Sequence, residues 1–180
     1  SRAFWLYAAP GGLVAFGFAD FTLLAFYFDK AGIVRPALIP LCYAAAMASD
    51  GVASLVFGRW FDKKGMGVLI PGTLLGVAVA PLAFFGGSGA ALAATLLWGA
   101  ALGVQEAVMP AAIAMLVPVE ARARAYGLFA AVFGVAWFAG SAALGALYDL
   151  SPAALVGLAT LAQLAALPFL FAAIDARKPQ

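Results

Sequence analysis

The sequence predicts an all-α, polytopic membrane protein of six transmembrane helices. Three observations carry this. Of the 180 residues, 66% are hydrophobic and only 10% charged, against about 25% charged in an ordinary soluble domain. So much apolar surface exceeds what a compact domain of this length can bury, and lipid must cover the rest. Finally, the 41 residues from Gly65 to Gln105 carry no charge, about twice the ~20 that one helical crossing needs.

Apolar runs bounded by charge, Gly and Pro place the helices at about 3–28, 37–61, 66–86, 90–117, 121–148 and 152–174. The first runs from Phe4 through Tyr27, too long for the apolar core of a cleavable leader. It ends at the Asp29–Pro36 joint. The second closes at Asp62–Gly65 (DKKG) and the third at Gly86–Gly89 (GGSG). Pro118–Glu120 and Ser151-Pro152 separate the last three. The loops leave no room for a separate aqueous domain, so residues 1–180 form one transmembrane unit. The first residue is Ser rather than Met, so the chain is expected to be trimmed or part of something longer.

An even number of spans puts both termini on one side. With cytoplasmic termini, Arg2, Arg59, Lys63, Lys64, Arg122, Arg124, Arg177 and Lys178 face inward and only Lys30 and Arg35 outward, as the positive-inside rule requires. The expected location is a bacterial cytoplasmic (inner) membrane.

Other classes are excluded by composition. One cysteine, Cys42, allows no internal disulfide, and the chain has no histidine. No nucleophile–base pair or ligand set is present, so no enzyme, metal or cofactor is expected. A net charge of +2, scattered along the chain, gives no footprint for nucleic acid.

An internal repeat appears at an offset of 86 to 87 residues. Gly17-Phe18-Ala19-Asp20 matches Gly103-Val104-Gln105-Glu106 as Gly-x-x-acid, and Gly58–Asp62 matches Gly145–Asp149, with Ser54 and Ser141 aligned. Three spans per repeat is odd, so the second copy (about 90–174) is inverted relative to the first (about 3–86), as in many secondary transporters.

Asp20, Asp50 and Glu106 fall near mid-span with no Lys or Arg at that depth. An ionised carboxylate there costs about 2.5 kcal/mol or more, so such residues face a bundle interior or an aqueous cavity. They are candidates for proton or cation coupling; a protonated acid hydrogen-bonded between helices is the alternative. Tyr43, Met47, Asp50 and Ser54 share one helical stripe suited to a substrate path, and Gln105 beside Glu106 joins the candidates. Pro110 gives no N–H to the carbonyl of Glu106, and with Gly103 it marks a candidate hinge. Pro10, Gly11 and Gly12 weaken the first span similarly. Ala44, Ala48, Gly51 and Gly58, with Gly127, Gly134 and Gly140, form smooth faces for close helix packing or for sliding. Trp5, Trp60, Trp98 and Trp137 are assigned to anchoring or packing.

The specific signal is Gly58-Arg-Trp-Phe-Asp62-Lys63-Lys64-Gly65. It resembles the Gly-x-x-x-Asp-Arg/Lys-x-Gly signature of the major facilitator superfamily, found on a cytoplasmic loop after the second helix of each six-helix half. Met66 and Gly67 stand where the family carries two further basic residues, as in its degenerate C-terminal copy. Arg124-Ala-Tyr126-Gly127 with Gly145–Asp149 looks like the eleventh helix, and with GFADF the whole chain is similar to helices seven to twelve. The resemblance implies a proton-coupled transporter of small solutes working by alternating access. Gly58 and Gly65 would shape the turn, Asp62 and Lys63 would latch the inner gate, and Arg122 and Arg124 beside Glu120 would offer the reciprocal surface. The expected partners are the bilayer, a small-molecule substrate and a second six-helix half, either absent sequence or another copy. Without deep Lys or Arg, the substrate is expected to be neutral, lipophilic or cationic. A non-transporting membrane scaffold or sensor with this fold, and a half-size transporter that homodimerises, are the competing readings.

Overall fold

The computed structural model describes residues 2–175, with side-chain surroundings from residue 4 on; Arg177 and Lys178, assigned above to the cytoplasmic side, lie outside the described residues, as does the side chain of Arg2. All regular structure among the described residues is helical: α1 (Arg2–Gly17), α2 (Phe21–Lys30), α3 (Ile39–Lys64), α4 (Leu69–Phe85), α5 (Gly87–Leu116), α6 (Arg122–Leu150) and α7 (Pro152–Asp175), with short 3-10 turns before α3, α4 and α6. Five stretches are long and apolar enough to cross a membrane: Phe4–Lys30, Pro36–Phe85, Gly87–Leu116, Val119–Leu150 and Pro152–Asp175. The chain is thus an integral membrane protein by the length and composition of its helices. Pro36–Phe85 is 50 residues long, about 75 Å if it were one straight helix. It is not straight, because Gly65 (φ 62°, ψ −148°) ends α3 in a conformation that side chains rarely tolerate.

The remaining boundaries follow local chemistry. Lys63 and Lys64 in the last turn of α3 suit its negative end. Gly87, at φ 63°, reduces the expected four-residue GGSG joint to a tight turn, so α5 starts earlier than the charge-free sequence suggested. Pro152 opens α7 where its missing N–H costs nothing, and Ser151 Oγ accepts the Ala154 N–H at 3.3 Å.

The main departure from the sequence reading lies in the first span. Instead of one helix over 3–28, the chain leaves helical geometry at residues 18–20 and restarts at Phe21. Unpaired backbone groups at such a break would be costly in an apolar setting. Here distant side chains satisfy them: Gln163 Nε2 donates to the Gly17 carbonyl (3.1 Å) and Trp98 Nε1 to that of Ala19 (2.8 Å). The Asp20 carbonyl accepts the N–H groups of Leu23 and Leu24 at 3.0 and 3.2 Å.

The helices pack in two matching sets. α3 and α4 lie against α5, α6 and α7 lie against α1, and α4 meets α7. Two apolar clusters fill the bundle, one around Phe18, Phe28, Val79, Trp98 and Leu155, the other around Tyr7, Leu69, Val108, Phe129 and Leu170. Along the helices, Gly17, Asp50, Ser54, Thr73, Gly103 and Gln163 fall at the junction of the two. Helix approach there is close. A Cβ on Gly99 would run into the Ala46 carbonyl of α3, and one on Gly140 into the Phe16 carbonyl of α1.

The other small residues expected to mediate packing do not do so within the chain. Ala44, Ala48, Gly51, Gly127 and Gly134 are exposed, and the four glycines Gly51, Gly58, Gly127 and Gly134 have no neighbour within 4 Å of where a Cβ would stand. They lie on faces of α3 and α6 turned away from α5 and α1.

Candidate functional site

Asp20 stands at the N-terminus of α2 without capping it; its side chain turns to α6 instead. Trp137 Nε1–H donates to Asp20 Oδ1 and the Ser141 hydroxyl to Oδ2. Both carboxylate oxygens are therefore held by one neighbouring helix, at the point where α1 gives way to α2. A second side of Asp20 lines an open cavity of about 290 Å³ with Thr22, Leu23, Phe26 and Ser141.

Asp50 and Ser54 face α5. Ser54 Oγ is 3.1 Å from the Gly103 carbonyl, to which it donates, and 3.3 Å from Asp50 Oδ1. Gly103 is what permits this, since a Cβ would stand 2.6 Å from Asp50 Oδ1 and 2.9 Å from Ser54 Oγ. Of the expected stripe, Asp50 and Ser54 thus engage α5, Met47 packs on the core, and exposed Tyr43 lies against the Phe21 ring (centroids 5.1 Å apart). Within the chain, the contact of the stripe with α5 is made by its Asp50–Ser54 end.

Glu106 is exposed and lies within electrostatic reach of Asp50, so the two carboxylates repel when both are ionised. It opens onto a cavity of about 230 Å³ between α5 and α6. From α5 come Leu102, Gln105, Glu106 and Pro110; from α6 come Phe129, Phe133 and Trp137. Pro110 sits inside α5, which continues through it, and so denies the Glu106 carbonyl its helical donor at the cavity wall. Gln105 is only 6% exposed, and its amide oxygen has no hydrogen-bond partner among the described residues. The aromatic wall is braced from behind, with Phe129 stacked on Tyr7 (5.7 Å), and Phe133 at 5.7 Å from Phe129 and 5.6 Å from Trp137. Trp137 therefore borders the Glu106 cavity while hydrogen-bonding Asp20.

The gate-motif residues lie at the opposite end of α3 from Tyr43. Asp62 and Lys63 are exposed in its last turns, Gly58 is half-buried with open space around it, and Gly65 makes the turn already described. Arg122 hands one N–H to the Ala114 carbonyl (3.1 Å), closing the end of α5, and its Nε is buried without a partner. Arg124 borders a separate cavity with Phe4 and Trp5. No group of three or more potential metal ligands occurs among the described residues.

Sequence reasoning missed the donor roles of Trp98 and Trp137, assigned only to anchoring or packing, and Gln163, which with Trp98 satisfies the break. Gln163 did carry a signal: it is the only amide in an otherwise apolar run of α7.

No family model and no solved structure matches the chain. It is 38% identical over 169 residues, 94% of its length, to proteins of Mycobacterium bovis and of two Mycobacterium tuberculosis strains that carry the description "Uncharacterized protein". The aligned part is 41% of those relatives, so the chain spans about two fifths of their length.

Proposed function

We propose that the chain is a six-crossing half of a proton-coupled secondary transporter of the major facilitator type, working in a bacterial cytoplasmic membrane by alternating access of a small-solute site. The observation that carries this reading is the paired packing of α3 on α5 and α6 on α1, with a carboxylate at each crossing.

An inverted repeat accounts for that pairing. At an offset of 87, Gly12 corresponds to Gly99 and Phe16 to Gly103, and each glycine faces a helix of the other repeat: Gly12 meets Val132 and Ala136 of α6, Gly99 meets Ala46 of α3. Pro81 inside α4 and Pro168 inside α7 stand at the same offset. Counting the Gly65 turn as a reversal makes Pro36–Phe85 two crossings and the total six. A break like that at residues 18–20 is common where transporter helices border a substrate site. The unpartnered faces of α3 and α6 suit a second half, and the relatives have length for one beyond the aligned part.

Two experiments test it. In vesicles of the Cys42→Ala chain, cysteines replacing Lys64 or Glu120 should react with an impermeant maleimide from the cytoplasmic side, and those replacing Ser88 or Ser151 from the other. Lys64→Cys and Ser88→Cys reacting from one side would remove the six-crossing reading. In the longer protein, Asp50→Asn and Glu106→Gln should abolish proton-linked solute movement; unchanged coupling in both would exclude coupling through this half, and no solute movement by the unaltered protein would leave a scaffold or sensor as the better account.

A further inference from the structure

We propose that the cavity between α5 and α6 binds a small protonated arylalkylamine, its ammonium group on Glu106 and its ring against Phe129, Phe133 and Trp137. This names the substrate class for the transport reading above and rests on it for physiology, though binding itself does not require transport.

Charge sets the sign of the ligand. Among the described residues, Glu106 is the one ionisable group lining the cavity, and no Lys or Arg borders it. An anion would be repelled by that carboxylate, and a cation gains a charge-assisted contact there that a neutral ligand of the same shape cannot make.

Hydrogen bonding sets the head group. Gln105 lines the cavity, is more than nine-tenths buried, and its amide oxygen bonds to nothing among the described residues. A buried acceptor left so calls for a donor from elsewhere. An N–H-bearing ammonium can serve the carboxylate and the amide oxygen together; a quaternary ammonium can serve only the first. The indole N–H of Trp137, the other polar group on the wall, is already engaged by Asp20.

Shape and size set the rest. Phe129, Phe133 and Trp137 recur at intervals of four on one side of α6, and Leu102 adds an aliphatic floor. Aromatic rings near a cation add attraction beyond apolar burial. A cavity of about 230 Å³ is below the ~300–1,000 Å³ typical of drug-sized ligands, which limits the part enclosed by this chain to one ring and a short amine arm.

Three molecules of one shape test this: 2-phenylethylammonium, 2-phenylethanol and 3-phenylpropionate, measured by equilibrium dialysis against the full chain in nanodiscs of zwitterionic lipid, with empty nanodiscs subtracted. The ammonium should bind saturably and at least tenfold more tightly than either analogue, and N,N,N-trimethyl-2-phenylethylammonium should bind more weakly than the parent amine. Glu106→Gln should lose tenfold or more in amine affinity, Glu106→Asp less, and Asp29→Asn nothing. Equal binding of alcohol and ammonium overturns the proposal on the unaltered chain, so the test stands even if a variant fails to fold. Full amine affinity in Glu106→Gln overturns it as well. Glu106-dependent binding without amine transport would refute the transport reading alone, whereas amine transport indifferent to Glu106→Gln would refute this site alone.

Discussion

Removing Trp137 or Ser141 should loosen the break between α1 and α2, and the two losses should not add. Each donates to a different oxygen of Asp20, so the carboxylate couples them. Trp137→Phe keeps an aromatic ring beside Phe18 and Phe133, which the indole meets at 5.7 and 5.6 Å, and removes the N–H together with the smaller ring of the indole, so any lost packing adds to the lost hydrogen bond. Interhelical hydrogen bonds in membrane proteins contribute about 0.6 kcal/mol on average and up to about 1.7; a carboxylate acceptor argues for the upper part, about 1–1.5 kcal/mol each. In a chain of this size each kcal/mol moves the midpoint by roughly 2–4 °C. Thermal unfolding in mild detergent, followed by helical circular dichroism, should therefore show each single variant lower by roughly 2–6 °C. The double variant should differ from the sum by at least ~0.5 kcal/mol, the signature of residues sharing one partner. Strict additivity, or a Trp137→Phe protein as stable as the parent, would refute the bidentate hold on Asp20.

Three further outcomes follow from the same geometry. Gly65→Ala should destabilise the chain by about 1–3 kcal/mol because φ 62°, ψ −148° is nearly closed to a side chain, while Gly67→Ala, with open space around it, should shift the same melt little. Gly140→Val must push α6 off the Phe16 carbonyl and should cost about 1–3 kcal/mol; Gly127→Val, facing no neighbour, should leave the melt within about 0.5 kcal/mol. Tyr7→Phe removes the bond its hydroxyl donates to the Met109 carbonyl (2.9 Å) but keeps the stack on Phe129, so a loss of about 0.6–1 kcal/mol is expected. An unchanged midpoint would show that hydrogen bond to be idle.

Helices and joints were legible because few residues in this chain are anything but apolar. Where Gly65 or Pro118 interrupts, the chain has local chemistry that forbids continuation, and local chemistry can be read from sequence. The break at residues 18–20 was not legible. Phe18 and Ala19 do not stop helices, and what holds the break open comes from Trp98, Gln163 and Trp137 on three other helices. The acids were found because charge in lipid is costly wherever it lies, but their partners were not, since an indole N–H at a helix centre looks like any packed tryptophan. Small-residue faces misled in a similar way. Gly140 packs and Gly127 does not, and spacing alone cannot separate the side of α6 turned to α1 from the side turned away.

The proposed repeat sharpens what distinguishes the acids. Asp20 and Glu106 match at an offset of 86, and Ser141 matches Ser54 at 87. If the two repeats were equivalent in detail, Ser54 would hold Glu106 as Ser141 holds Asp20. Instead Ser54 bonds to the Gly103 carbonyl and to Asp50, a carboxylate for which the second repeat has Trp137 at the corresponding place. One repeat thus supplies an indole donor where the other supplies an acid. The Asp20 crossing closes on itself, with both its oxygens met from within the chain. The Glu106 crossing carries an extra acid, Asp50, which takes the serine, and among the described residues no hydrogen-bond donor meets Glu106, so its carboxylate remains open to whatever enters the cavity. On the proposed reading, that open carboxylate is the group an incoming cation would meet.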